Sequence, residues 1–314
     1  MTVLDRFNNG DKRALSKIIS FIENREDGYR ELLSKLYVKS GHAIRIGVTG
    51  PPGAGKSTLV NALLHQFLKN NKKVGVIAVD PSSPFTGGAL LGDRVRMNEF
   101  PLDGNVYFRS MATRGASGGL AGATNNVLVA LDAFGFDVTI VETVGVGQVE
   151  LDIIDACDTV VVALVPESGD AVQTMKAGLM EIADVFVVNK ADRPNADRIA
   201  TDLKTALEFK PHDEHTWMIP VVSTVAVEQK NVDVLYDKIY EHINFIKANG
   251  TYEKHRRSQL KKKIIAILQN RFEREYLDNI TKKVDFEIII DKILLGETNP
   301  YQVGKELFDE FKKQ

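Results

Sequence analysis

The run Gly50-Pro51-Pro52-Gly53-Ala54-Gly55-Lys56-Ser57 spells G-x-x-x-x-G-K-S between the apolar stretch Ile44–Val48 and the helix-period sequence LVNALLHQFL. Strand, glycine-rich loop and helix are the parts of a phosphate cradle. Glycines let main-chain N–H groups turn toward an anion, and the start of the helix adds partial positive charge. Lys56 supplies a cation for the β- and γ-phosphates, while the Ser57 hydroxyl, followed by Thr58, stands where Mg²⁺ can be ligated. The alternative is a glycine-rich turn that binds nothing; the full match and its placement speak against it.

A second group lies far along the chain, where the apolar run Val185–Val188 leads into Asn189-Lys190-Ala191-Asp192. This is N-K-x-D at the C-terminal end of an expected strand, where α/β sheets bind ligands. The Asp192 carboxylate can accept hydrogen bonds from N1–H and the 2-amino group of guanine. Adenine offers neither and would strand the charge, a mismatch able to reach a factor of roughly 10⁴. Asn189 is expected to brace the loop and meet the base edge, and the Lys190 stem to cover the ring. Ser223 and Thr224, after an expected strand Ile219–Val222, are candidates for main-chain contacts to the guanine oxygen. Alone, N-K-x-D is a common surface turn; downstream of a phosphate loop it reads as guanine recognition, with GTP or GDP as the ligand.

Between the two groups, Val138–Val141 leads into Glu142-Thr143-Val144-Gly145, where GTPases usually carry D-x-x-G. Glu142 is expected to hold Mg²⁺ through water and the Gly145 amide to sense the γ-phosphate, the alternative being an ordinary strand-end turn. Val76–Val79 ends at Asp80, and the glycine-rich stretch beyond it contains Asp93. Either acid can orient the attacking water or the metal, or simply cap a helix. The expected catalytic set is thus Lys56, Asp80, Asp93 and Glu142, with Ser57 joining the three acids around the metal. Val146 occupies the place of the usual water-positioning glutamine, so slow hydrolysis in isolation is expected. Gln148 lies nearby, and Lys176, Arg94, Arg109 and Arg114 are candidates to add charge when a partner orders these loops.

The elements that must position these groups follow from periodicity. Short runs rich in Val and Ile at 44–48, 74–79, 138–141, 159–165, 185–188 and 219–222 read as buried strands. The intervals mostly leave room for a helix, so a doubly wound α/β domain over 42–245 with a mostly parallel sheet is expected. Residues 1–41 carry helix-period apolar sets and form a helical N-terminal extension. Asn249-Gly250 marks a break, and 246–314 forms a helical C-terminal extension with Leu260, Ile264, Ile267 and Leu268 on one face.

The 314 residues, 44% hydrophobic, suffice for one large core, and a net charge of −2 creates no global field for nucleic acid or anionic lipid. Lys254, Arg256, Arg257 and Lys261–Lys263 are read as a solvated helix face rather than a nucleic-acid arm. One cysteine, Cys157, points to a reducing compartment and a buried small residue. The start, MTVLDRFNNGDKRAL, lacks secretion or transit character and no 18-residue apolar run exists, so a mature cytoplasmic protein with no membrane segment is expected.

GVTGPPGAGKSTL, VDPSSPFTGGALLGDRVRM, RGASGGLA, ETVGVGQVE and VNKAD together resemble the MeaB/ArgK/MMAA group of G-protein chaperones, over most of residues 40–200. The resemblance implies a P-loop NTPase of the SIMIBI class, dimerisation through C-terminal helices, and gated delivery of adenosylcobalamin to methylmalonyl-CoA mutase or a related acyl-CoA mutase. It matches Lys56, Ser57, Asp80, Asp93 and Glu142 to phosphate and magnesium positions, and Gly169 to Lys176 to a switch facing the client. The chain has no D-x-H-x-x-G cobalamin motif, which agrees with a chaperone rather than a mutase. Two rivals are a transport-associated ATPase, opposed by N-K-x-D, and a nickel-insertion GTPase, opposed by scattered His and a single Cys.

Overall fold

The computed structural model describes residues 1–81, 105–113, 121–143, 153–167, 178–210, 213, 216–273, 276, 280 and 284–311. Asp93, Gly145, Gln148, Gly169, Lys176, Arg94 and Arg114 lie outside them, as does the side chain of Asp80.

Three helices open the chain: α1 (Val3–Asn8), α2 (Lys12–Glu23) and α3 (Tyr29–Tyr37). Thr2 and Asp5 close a capping box on α1, and the Asp11 carboxylate caps α2 by accepting from the amides of Arg13 and Ala14. Such caps occupy the orphan N–H groups of a helix start. Then β1 (Ile44–Thr49), α4 (Lys56–Lys69), β2 (Val74–Pro81), β3 (Val106–Thr113), α5 (Ala121–Phe134), β4 (Val138–Thr143), β5 (Thr159–Leu164), α6 (Leu179–Ile182), β6 (Val185–Asn189), α7 (Ala196–Glu208), β7 (Val221–Thr224) and α8 (Val232–Ala248) follow. The seven strands form one parallel sheet in the order β3-β2-β4-β1-β5-β6-β7.

Both faces of the sheet are covered. Val160, Val162 and Leu164 face a core shared with α2, α3, α5 and α7, whereas Val161, Ala163 and Val165 face one shared with α4 and α8. Alternation delivers apolar side chains to both sides, which is why these strands read as continuous hydrophobic runs. The N-terminal helices are therefore part of the main core: Leu15, Ile18, Ile19 and Ile22 are buried in it. Asp132 of α5 secures their connection to β1 by accepting the amides of Gly41, His42 and Ala43 at 2.7–3.1 Å.

Four strand expectations need correction. β3 is absent from the apolar runs because it is an edge strand whose Arg109 and Ser110 interrupt them. Arg109 is turned to α2, where it pairs with Glu23 and donates to Ser20 at 3.1 Å, and Lys12 donates to the Val106 carbonyl at 2.6 Å. Charged partners of this kind blunt an open sheet edge. β7 begins two residues later than expected because Pro220 has no N–H for the ladder, so Ser223 and Thr224 are its last residues rather than its sequel. Likewise β4 continues through Glu142 and Thr143, and β2 through Asp80 and Pro81.

At the opposite end of the sheet from the motif loops, His242 of α8 bonds Thr159 Oγ1 through Nδ1 at 2.8 Å and lies 3.4 Å from Asp184 Oδ1. Asp184 accepts the Val160 amide at 2.8 Å, and its carbonyl takes the Trp217 indole N–H at 2.7 Å. Burial drives the Asp184 carboxyl up to about 7 and the His242 imidazole down to about 4.

The chain divides into two compact units, Met1–Glu253 and Lys254–Gln314. Gly250, at φ +75°, separates α8 from α9 (Thr251–Phe272), and α10 (Phe286–Leu294) and α11 (Pro300–Phe311) complete the second unit. None of its described residues is buried: Ile264 is 59% and Leu268 61% exposed. No described helix is long and apolar enough to cross a membrane.

Candidate nucleotide site

β1, β4, β5, β6 and β7 all end on the same side of the sheet, and the loop 50–55 passes from β1 into α4 there. Two glycines make that path possible. Gly50 has φ +138°, and a Cβ on it would lie 2.0 Å from the Ala163 carbonyl oxygen. Gly55 has φ +77°, and its Cβ would meet Asn189 Nδ2 at 2.5 Å. A side chain at Gly50 would collide with the main chain of β5, and one at Gly55 would be strained and would displace the Asn189 amide.

Lys56 heads α4 and is buried; its ammonium folds over the loop and donates to the carbonyls of Gly50 and Pro51 at 2.7 and 2.9 Å. Pro52, Gly53 and Thr58 are exposed, while Ala54 is buried against the sheet. Ser57 Oγ donates to Glu142 Oε1 at 2.5 Å, joining residues 85 positions apart. Beside them the Thr143 hydroxyl donates to Thr49 Oγ1 at 2.8 Å, both fully buried. A hydroxyl and a carboxylate side by side are hard oxygen donors that suit Mg²⁺. Among the described residues no group of three or more His, Cys, Asp and Glu could hold a metal by itself. An ion here would complete its shell with phosphate oxygens and water, as Mg²⁺ ordinarily does. Asp80 stands on β2 opposite Ala112 of β3, two strands away from β1.

The N-K-A-D segment meets the phosphate loop directly. Asn189 Nδ2 donates to the Ala54 carbonyl at 3.0 Å, and Lys190 Nζ to the Gly53 carbonyl at 2.9 Å. Asn189 Oδ1 accepts from Thr224 Oγ1 and from the Ala226 amide, both at 3.2 Å, and the Ala191 amide donates to the Thr224 carbonyl at 3.0 Å. The expected bracing role of Asn189 thus has a geometry: one buried amide ties three loops. Its amide group is directed to protein, not to open solvent, at 2% exposure. Lys190 takes φ +56° and Asp192 is exposed. The Ser223 carbonyl accepts from Asn231 Nδ2 at 2.9 Å.

Between these loops opens a cleft of about 460 Å³, lined by residues 51–53, Val165 and Glu167 beyond β5, and Lys190 and Arg193 beyond β6. Glu167 and Arg193 form an ion pair across it. The hydrogen bond from Arg193 holds the Glu167 carboxyl below its ordinary value, and Glu167 raises Arg193 in turn. Thr49, Thr143, Glu167 and Arg193 are not singled out by any motif. Arg193 adjoins N-K-A-D and was visible as a neighbour; the 26-residue separation from Glu167 carries no periodic signal.

Comparisons with known proteins agree with this geometry. A profile of the family described as "Methylmalonyl Co-A mutase-associated GTPase MeaB" matches residues 15–281. A Pyrococcus abyssi protein classed by name as a GTPase is 47% identical over 310 residues, covering 98% of this chain and 95% of its own. The mouse "Methylmalonic aciduria type A homolog, mitochondrial" is 30% identical over 322 residues, covering 97% of this chain and 78% of its own. In structure, a "LAO/AO transport system kinase" superposes with a TM-score of 0.70 at 24% identity, over 99% of this chain and 97% of that one, which bears out the fold. With 267 consecutive positions inside the family profile, 15 to 281, and both nucleotide motifs in one cleft, the chain belongs to the MeaB family of P-loop GTPases.

Proposed function

We propose that this GTPase binds GTP with Mg²⁺ in the cleft between the phosphate loop and the N-K-A-D loop, and that its nucleotide state gates adenosylcobalamin loading or protection of methylmalonyl-CoA mutase or a related acyl-CoA mutase. The observation that carries the nucleotide part is the Asn189–Ala54 hydrogen bond, which joins the guanine motif to the phosphate loop. In this reading the Lys56 ammonium leaves the carbonyls of Gly50 and Pro51 for the β- and γ-phosphates. Ser57 and Glu142 separate to hold Mg²⁺, which supplies charge neutralisation to the transferring phosphoryl group. Asp192 reads the base. Asp80 and Asp93 are carried as metal or water-orienting acids, and Gly145, Gln148, Gly169 and Lys176 as switch and client-facing residues. The mutase client is supported by the family's own description and by the name of the mouse relative. Dimerisation is supported by the uncovered apolar residues of α9 and α10. A cytoplasmic setting accords with a single cysteine, buried in the core.

Calorimetry with GDP, GTP and ATP in Mg²⁺ tests the first part: guanine nucleotides give heat, ATP does not, and Lys56→Ala abolishes triphosphate preference. Steady-state hydrolysis with saturating methylmalonyl-CoA mutase tests the second, with turnover expected to rise at least about tenfold, toward the stimulation partner-supplied groups give GTPases. An unchanged rate would remove the mutase from this account.

A further inference from the structure

Three charged residues line the cleft, Glu167, Lys190 and Arg193, and the exposed Asp192 directly precedes Arg193 in the chain. Lys190 is committed to the Gly53 carbonyl. Arg193 is adjacent to the base-reading carboxylate, and its main chain is fixed by a turn in which its amide donates to the Lys190 carbonyl at 3.0 Å. A guanidinium in that position is a competitor for Asp192, because it offers the same paired N–H donors that guanine offers. Yet among the described residues the Asp192 carboxylate has no hydrogen bond or ion pair, and Arg193 reaches across the cleft to Glu167 instead.

Resting on the reading of this site as a guanine pocket, we propose that Glu167 is a specificity-determining positioning residue: by holding Arg193 across the cleft mouth, it keeps the Asp192 carboxylate open to the guanine 2-amino group. Glu167 then acts through Arg193, without touching the base itself. Removing its charge frees the guanidinium to turn back on Asp192, and the base must displace an internal donor before it can bind. Both side chains are about half exposed, 47% for Arg193 and 51% for Glu167. Exposed pairs of this kind are worth no more than about 1 kcal/mol, so a change of about threefold to fivefold in discrimination is the expected size.

The test compares binding of GDP with that of IDP, which lacks the 2-amino group, in Mg²⁺ to the full chain and its variants. Glu167→Gln lowers the GDP-to-IDP affinity ratio about threefold to fivefold. The double variant Glu167→Gln/Arg193→Gln, which has no guanidinium to set free, regains at least the wild-type ratio. A merely structural role for the ion pair predicts the opposite, since the double variant would then be as impaired as the single one; that result, or an unchanged ratio in Glu167→Gln, overturns the inference. Failure of the wild-type chain to bind GDP at all would instead overturn the guanine reading on which it rests.

Discussion

The helices at the two ends of this chain both carry apolar residues and differ in how exposed those residues are. In α2, Leu15, Ile18, Ile19 and Ile22 are at most 3% exposed, sealed beneath α5 and the sheet. In α10, with a sequence at least as apolar, Ile288 is 55% and Leu294 78% exposed, and α9 shows the same openness. Amphipathic periodicity therefore identifies a face that needs cover, but not the surface that covers it. The N-terminal helices have found theirs within Met1–Glu253; in the second unit no described residue is buried.

The largest expected effect breaks the covered side. Ile19→Ala removes a side chain with no exposed surface, and should cost about 2–5 kcal/mol in urea denaturation. A loss below about 0.5 kcal/mol would mean that α2 is an appendage after all.

Next in size is a test of how dry the first unit is far from its site. Folded Asp184 keeps its proton to higher pH than in the unfolded chain, so its contribution is full in acid and fades as pH rises toward about 7. Folded His242 resists protonation, so its contribution is present above the ordinary imidazole range and fades as pH falls toward about 4. The two oppose each other over the window they share, and wild-type stability should be nearly flat there. In Asp184→Asn only the histidine remains of this pair, and stability should fall by about 3 kcal/mol from pH 7 to pH 4. Thermal denaturation across that range reads the slope; a profile parallel to wild type would mean that water reaches His242.

The smallest effect sharpens the uncovered side. Ile264→Ser with Leu268→Ser should leave the stability of the first unit and GDP affinity alone, while raising the dimer dissociation constant about tenfold, or about 1.4 kcal/mol. Sedimentation equilibrium decides it. A wild-type chain that stays monomeric, or variants that associate as well as it does, would leave α9 and α10 needing some other cover.

Much of the site was legible beforehand because its chemistry is local. Eight consecutive residues carry the phosphate loop, and four carry the guanine motif. What stayed hidden was contact between distant positions. Arg109, a plausible source of charge for the switches, is spent on Glu23 of α2, 86 residues away. β3 escaped because edge strands need not be apolar on both sides. Thr49 and Thr143 look ordinary in the sequence, since a hydroxyl pair spanning 94 residues leaves no period.

By itself, the sequence determined the ligand class, the parallel α/β scaffold and the order of its parts. These depend on short-range chemistry: glycines that permit a loop, a lysine and a serine at set spacing, and alternating runs that bury both faces. Only the tertiary structure decided that Asn189 ties three loops, that Ser57 meets Glu142, that Arg193 turns to Glu167, and that one helical end is sealed while the other is open. Those outcomes depend on which surfaces the fold brings within hydrogen-bond or packing distance, and closure over tens of residues is a property of the whole chain.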